Sequence, residues 1–346
     1  VSALDLSRPP APPPQEGEVE QRSLVPVTLA YLRRTPAIPV LLVVVVAGAV
    51  AFGGTFLSVR NFASMAVASS FLLIISVGMT FVIISGGIDL SVGSMLALGA
   101  VLAAYSARWG SGPAILIPLA VCTAIGLIQG LLIGKGRMPP FIVTLAGLLF
   151  ARGLAFKVSD DGNMTHLIPE GEWVIKLGQS TFLGVGLPAW IALAVLLLGM
   201  VVLYRTRLGF STYAIGGSEE AALLMGVRVV RVKLVLYTLT GFLGGVAGLL
   251  VAARSSSGLS TIGAGLELKA IAAVVIGGTL LSGGAGGLTG TLAGVFLLGV
   301  IENLINQIGT LSYYHQLVAS GVFLIIVVSA QSLFAKRELR RAGRVT

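Results

Sequence analysis

Apolar residues run in long blocks along this chain, and the polar positions between them fall in short clusters. A helix needs about 20 apolar residues to cross the hydrocarbon core of a bilayer. Blocks of that kind lie at 36–57, 62–84, 88–106, 113–133, 139–157, 188–204, 234–253, 267–281, 287–307 and 314–334, which predicts about ten transmembrane helices. The eighth block is short, and the second meets the third at a Gly-Gly pair, so neither reads as a simple rod. The pattern predicts an all-α, polytopic membrane protein with broken or short spans.

Composition agrees. The chain is 55% hydrophobic and 11% charged, against roughly 25% charged residues in soluble domains. Its 46 glycines suit helices that pack closely in lipid. The net charge of +9 comes from basic residues clustered in loops and tails, a pattern that sets membrane orientation and does not point to nucleic acid. With the N-terminus inside, sixteen of the 23 Lys and Arg residues fall on the cytoplasmic side: four in the N-tail, Lys135 and Arg137, five between Arg205 and Lys233, and five between Lys336 and Arg344. Both termini are therefore expected in the cytoplasm. Residues 1–35, with RPPAPPPQEGEVE, read as a disordered Pro-rich cytoplasmic tail without the apolar core of a secretory signal. Residues 36–334 form the transmembrane domain, and 335–346 a basic cytoplasmic tail. Cys122 lies in an apolar run and reads as packing.

Two connections exceed simple turns. Residues 158–187 fall outside and carry most of the loop acids, with Trp173 as an interfacial anchor; residues 205–233 fall inside. The chain also echoes itself: Gly86-Gly87-x-x-Leu90-Ser91-x-Gly93 recurs as Gly277-Gly278-x-x-Leu281-Ser282-x-Gly284, each ending one span and opening another. Gly-interrupted spans at corresponding places in two halves point to the pathway of a repeat-built transporter.

A carboxylate at Asp89, inside VIISGGIDLSVGSMLA, is costly in a lipid-spanning segment and must face protein or water. Either it lines a solute pathway, or it caps the following helix, with Ser91 also offering an oxygen to free N–H groups. Glu302 and Asn303, with Asn306 a turn further on, either line the same pathway or tie helices together. Arg152 reads as paired within the protein. His166 and His315 have no acid or cysteine at metal-ligand spacing, so no metal site is expected, nor any catalytic residue.

Inside the 205–233 segment, Gly216-Gly217-Ser218-Glu219-Glu220-Ala221-Ala222-Leu223-Leu224-Met225-Gly226-Val227 reads as a short helix with Ser218 as N-cap, acids in the first turn and Gly226 as its stop. Leu223, Leu224 and Met225 need a cover, either the transporter itself or a cytoplasmic partner. No G-x-x-x-x-G-K-[ST] phosphate loop occurs; GGAGGLTG at 283–290 lacks the lysine. ATP hydrolysis would have to come from another chain.

The stretches GMTFVIISGGIDLSVGSMLALGA (78–100), MPPFIVTLAGLLFARGLAF (138–156), AIGGSEEAALLMGVRV (214–229) and LELKAIAAVVIGGTLLSGGAGGLTGT (266–291) resemble the permease subunits of sugar-type ATP-binding-cassette (ABC) importers, the family of ribose, xylose, arabinose and galactose permeases. The resemblance runs in order from about 36 to 334. It implies a pathway for a pentose or hexose, formed with a second permease, either another copy or a paralogue. It implies too a cytoplasmic ATPase that binds ATP and Mg and takes 216–227 into a groove, and a periplasmic or lipid-anchored sugar-binding protein. Glu219, Glu220, Ala221 and Gly226 occupy the positions of that family's coupling motif. The chain departs from the family at Lys269, where an acid is usual, and at 255–266, which lacks a Pro-containing polar loop. Lys269 reads either as drift in the outer gate or as the partner of Glu267 or of an acid of a partner protein. The other readings are a permease for branched-chain amino acids, nucleosides or a furanosyl signal molecule, and a stand-alone secondary transporter.

Overall fold

A computed structural model describes residues 37–308 together with 318, 321, 322 and 325. The tails at 1–35 and 335–346, His315 and most of the span expected at 314–334 lie outside the described residues. Helices α1 (Ala37–Phe56), α2 (Val59–Ile84), α3 (Val92–Ser106), α4 (Ser111–Gly134) and α5 (Pro140–Val158) come first. A packed connection comes next, with strand β1 (His166–Leu167), helix α6 (Ile175–Gln179) and the hairpin β2 (Thr181–Phe182) and β3 (Val185–Gly186). Then come α7 (Leu187–Arg205), α8 (Arg207–Gly217), α9 (Glu219–Leu224), α10 (Val229–Ser255), β4 (Ser257–Gly258), α11 (Leu266–Ile276) and α12 (Leu288–Ile308). Among the described residues eight helices are long and apolar enough to span: α1–α5, α7, α10 and α12, with α3 continued by a short 3₁₀ turn.

The core is built by α2, α3 and α10, whose buried side chains include Phe81, Met95 and Tyr237. Crossings here use small residues: Gly241 of α10 lies on Gly126 of α4, and Gly245 and Gly248 lie on Gly99 of α3. Without water to drive helices together, such close backbone approach is what dispersion can reward. The outer layer, α1, α5 and α7, turns Val50, Leu149, Phe150 and Leu198 outward, as lipid-facing surfaces should.

Two expected spans differ. The third does not begin at 88: residues 85–91 are non-helical and α3 starts at Val92. The eighth is no span, because α11 has 11 residues, about 16 Å of helix against a hydrocarbon core of roughly 30 Å. Nor is 255–266 a simple external loop. It folds back along α3, with Gly258 against Ala100 and Val101 and Gly263 against Gly93 and Leu96. Arg152, halfway along α5, holds this stretch by donating Nη1–H to the carbonyls of Ser260 (2.9 Å) and Ile262 (2.7 Å). The irregular backbone is thus satisfied inside protein, the condition for its presence at membrane depth.

The connections sort to opposite ends of the bundle. At one end β1 pairs antiparallel with β4, Ser111 donates to Glu172, and His166 Nε2 lies 2.8 Å from the Val158 carbonyl. At the other end α8 and α9 sit against α2, α10 and the 277–287 loop.

Candidate functional site

The break after α2 is made by a helix stop, then held by a buried carboxylate. Ser85 is the C-cap and Gly86 takes φ +80°; Gly86 N–H donates to Ile83 O (2.9 Å) and Gly87 N–H to Val82 O (3.0 Å). This is the Schellman pattern, which needs a left-handed residue and so favours glycine. The same pattern ends α11: Gly278 (φ +98°) donates to Val275 O and Thr279 to Val274 O. The structural match therefore pairs Gly86 with Gly278, one position off the sequence echo, in which Gly86 matches Gly277. The two loops also differ downstream. Ser91 is buried and Ser282 exposed, and nothing in 277–287 answers Asp89.

Asp89 is 1% exposed. Its Oδ1 accepts from the Ser91 N–H (2.9 Å) and the Ser91 hydroxyl (2.6 Å), and its Oδ2 from the Thr240 hydroxyl of α10 (2.7 Å). The cap reading is modified accordingly. Ser91 spends its hydroxyl on Asp89 and makes no cap bond to α3, while Asp89 takes an N–H one residue short of the helix and clamps the break to α10. Thr144 of α5 closes the other side, donating to Ile88 O (3.2 Å). Gly93 lies against Gly263 and Glu267.

The helix read at 218–226 is α9. Ser218 Oγ accepts from Ala221 N–H (3.2 Å), Glu219 and Glu220 fill the first turn, and Gly226 (φ +81°) and Val227 close a third Schellman stop on Leu223 O and Ala222 O. Ala222 is fully buried, whereas Leu223, Leu224 and Met225 are 51%, 90% and 71% exposed. The described residues of the chain do not cover them. Lys233 of α10 pairs with Glu219 at 2.7 Å; Glu220 and Ala221 are exposed. At the base of this helix Gly216 packs on the Ile84 carbonyl and the Gly284 amide, and Gly284 N–H itself donates to Ile84 O (2.9 Å). A side chain at Gly216 would have no room, while Gly217 faces open space. Tyr213 of α8 donates to Gly286 O (2.8 Å), and burial, then the neighbouring Tyr204, pushes its phenol up to about 12. The foot of α9, the end of α2 and the loop after α11 thus meet at one point. Gly277, by contrast, packs on Gly290 at the start of α12.

A cavity of about 440 Å³ opens between α2, α3, α10, α11 and α12. Its polar wall is Ser64, Ser69, Lys269, Glu302, Asn303 and Asn306. Lys269 Nζ lies 2.6 Å from Glu302 Oε1, an ion pair that the sequence reading did not name. Asn303 ties α12 to α2, donating to Asn61 Oδ1 (2.8 Å) and accepting from Gln307 (2.8 Å). Glu302 and Asn303 both reach the cavity wall, and Asn303 also joins helices.

Residues 61–327 match the family model described as branched-chain amino acid transport system / permease component. The chain belongs to this family. Within it, the permease is 44% identical to the ribose import permease protein RbsC of Bacillus subtilis over 74% of its own length and 79% of that protein's. It is 41% identical to the inner membrane ABC transporter permease protein YjfF of Escherichia coli (84% and 89%). It is 34% identical to the fructose import permease protein FruG of Bifidobacterium longum (93% and 95%). No solved structure gives a significant match. The permease is of the sugar-type ABC importer class, a transport subunit and not an enzyme, and a multi-pass protein of the inner membrane. Such a subunit works with an ATPase and a sugar-binding protein.

Sequence reading missed the partners of the permease's buried carboxylate. Thr240 lies 151 positions from Asp89, and Tyr237, whose hydroxyl finds no hydrogen-bond partner among the described residues, lies against Gly87 one turn away. The signal for them was two hydroxyl side chains at i, i+3 in the apolar 234–253 block.

Proposed function

We propose that the permease carries a monosaccharide, a pentose or hexose, across the membrane as one of a pair of permease chains, with 216–227 as the element that receives force from a separate ATPase. ATP and Mg would be held by that partner, and a binding protein would deliver the sugar at the end formed by residues 159–186. The observation that carries the reading is the exposed apolar tip of α9 on a helix whose foot touches both helix breaks. A protein surface that takes Leu223, Leu224 and Met225 would hide them from water, and pulling on α9 would move Ile84, Gly86 and Gly284 together. Two-state switching needs such a shared joint, biased by whatever binds on either side. The names of the relatives support a sugar as the cargo. The basic residues around α8 to α10, Arg205, Arg207, Arg228, Arg231 and Lys233, support placing that end in the cytoplasm.

The test is ATP-driven uptake of D-ribose, with L-leucine as the comparison, in vesicles holding the assembled transporter. Glu219→Lys with Glu220→Lys should leave insertion intact, because an exposed ion pair such as Glu219–Lys233 contributes only about 0–1 kcal/mol, and should abolish uptake. Undiminished uptake by the double variant removes the docking role. Leucine uptake in place of ribose removes the sugar.

A further inference from the structure

The Lys269–Glu302 pair is not sealed in the core. It sits in the wall of the 440 Å³ cavity, with side chains 13% and 32% exposed. A lone charge at this depth is costly, and a buried pair seldom stabilises a fold more than apolar residues of the same size would. Packing therefore does not account for it. The rest of the wall, among the described residues, is uncharged: Ser69, Asn303 and Asn306 on the polar side, Phe71, Leu72 and Leu96 on the apolar side. Among the described residues Lys269 and Glu302 are the two ionisable groups lining the cavity, and together they present donors and acceptors with no net charge.

A neutral polyhydroxylated solute suits such a wall. Each hydroxyl both donates and accepts, so it can hydrogen-bond to the ammonium and the carboxylate without parting them. An ionised solute can gain only by drawing one member away, which leaves the other charge uncompensated in a low-dielectric space. We infer that Lys269 and Glu302 form a self-neutralised charge filter, which passes neutral polyhydroxylated solutes through this cavity and holds back ionised ones. The inference rests on the sugar-pathway reading and adds the residues that set charge selectivity.

The field inside the cavity can be read with a thiol. Ser69→Cys places one in the wall and Asn306→Cys one at the exposed rim; the parent chain, whose Cys122 is buried, supplies the blank. Full-length permease in lipid nanodiscs is treated with methanethiosulfonates of similar size and opposite charge, the sulfonatoethyl anion and the trimethylammonioethyl cation, each normalised to a free thiol. Lys269→Gln, which leaves Glu302 alone, should raise the cation-to-anion rate ratio at the wall thiol of Ser69→Cys by about tenfold or more. Glu302→Gln should lower it by a similar factor, and the double variant should return to within about threefold of the Ser69→Cys chain. Equal ratios in all four chains overturn the filter, and so does a cavity in which neither reporter reacts. Because no sugar or ATPase enters this assay, its failure is separable from that of the sugar reading, which shows only in the uptake comparison of ribose with leucine.

Discussion

Asp89 receives three hydrogen bonds in a space closed to solvent, from Ser91 twice and from Thr240 once. A hydrogen bond contributes about 0.5–1.5 kcal/mol net, and removing the acceptor strands each buried donor at a cost of about 1–3 kcal/mol. Asp89→Ala should therefore destabilise the permease by about 3 kcal/mol or more, and Thr240→Val by about 1.5 kcal/mol. Thermal unfolding in detergent would show both as lowered midpoints, with the aspartate variant the worse. A variant that keeps its midpoint but loses uptake would mean that the carboxylate handles solute and does not hold the break. That an acid in an apolar block must be satisfied was readable from residue type alone. Its partner was not, because pairing across 151 positions depends on how α10 is rotated against α3, and hydropathy carries no phase for a helix whose central stretch is apolar on nearly all sides.

At the scale of elements, helix stops decide more than helix lengths. Three helices end on the same capping pattern at Gly86, Gly226 and Gly278, although Gly-Gly after an apolar run does not by itself mark a stop, since Gly244-Gly245 lies inside α10. The path of the chain beyond a stop is less visible. Residues 88–91 and 256–265 both link apolar helices, yet the first is a clamp and the second runs back beside α3; the first is held by its own Asp89 and by Thr144 of α5, the second by Arg152 of α5. The joint where α9 meets the two breaks gives a paired prediction. Gly216→Val forces a side chain into the Ile84 carbonyl and the Gly284 amide, an overpacking that should cost about 1–3 kcal/mol. Gly217→Ala enters open space and should change stability by less than about 0.5 kcal/mol. Equal midpoints for the two variants would mean that α9 is not seated on the breaks.

For the whole molecule, the order of the spans was legible because each covers a bilayer's worth of apolar residues. Among the described residues the count failed only where α11 is too short to cross. The two ends of the bundle are chemically unlike. One carries Lys135, Arg137 and the five basic residues from Arg205 to Lys233; the other carries Asp160, Asp161, Glu170 and Glu172 beside fewer cations. Cytoplasmic loops concentrate Lys and Arg, so α9 should face the cytosol and the 159–186 connection the outside. Leu224, the most exposed large apolar residue of α9, and Glu170, exposed at the opposite end, mark the two faces. A membrane-impermeant maleimide applied to spheroplasts should label Glu170→Cys and spare Leu224→Cys, and inside-out vesicles should reverse the outcome. The reverse pattern would place the apolar tip of α9 outside, beyond reach of any nucleotide-driven partner, and the coupling role would fall with it while the Lys269–Glu302 cavity kept its chemistry.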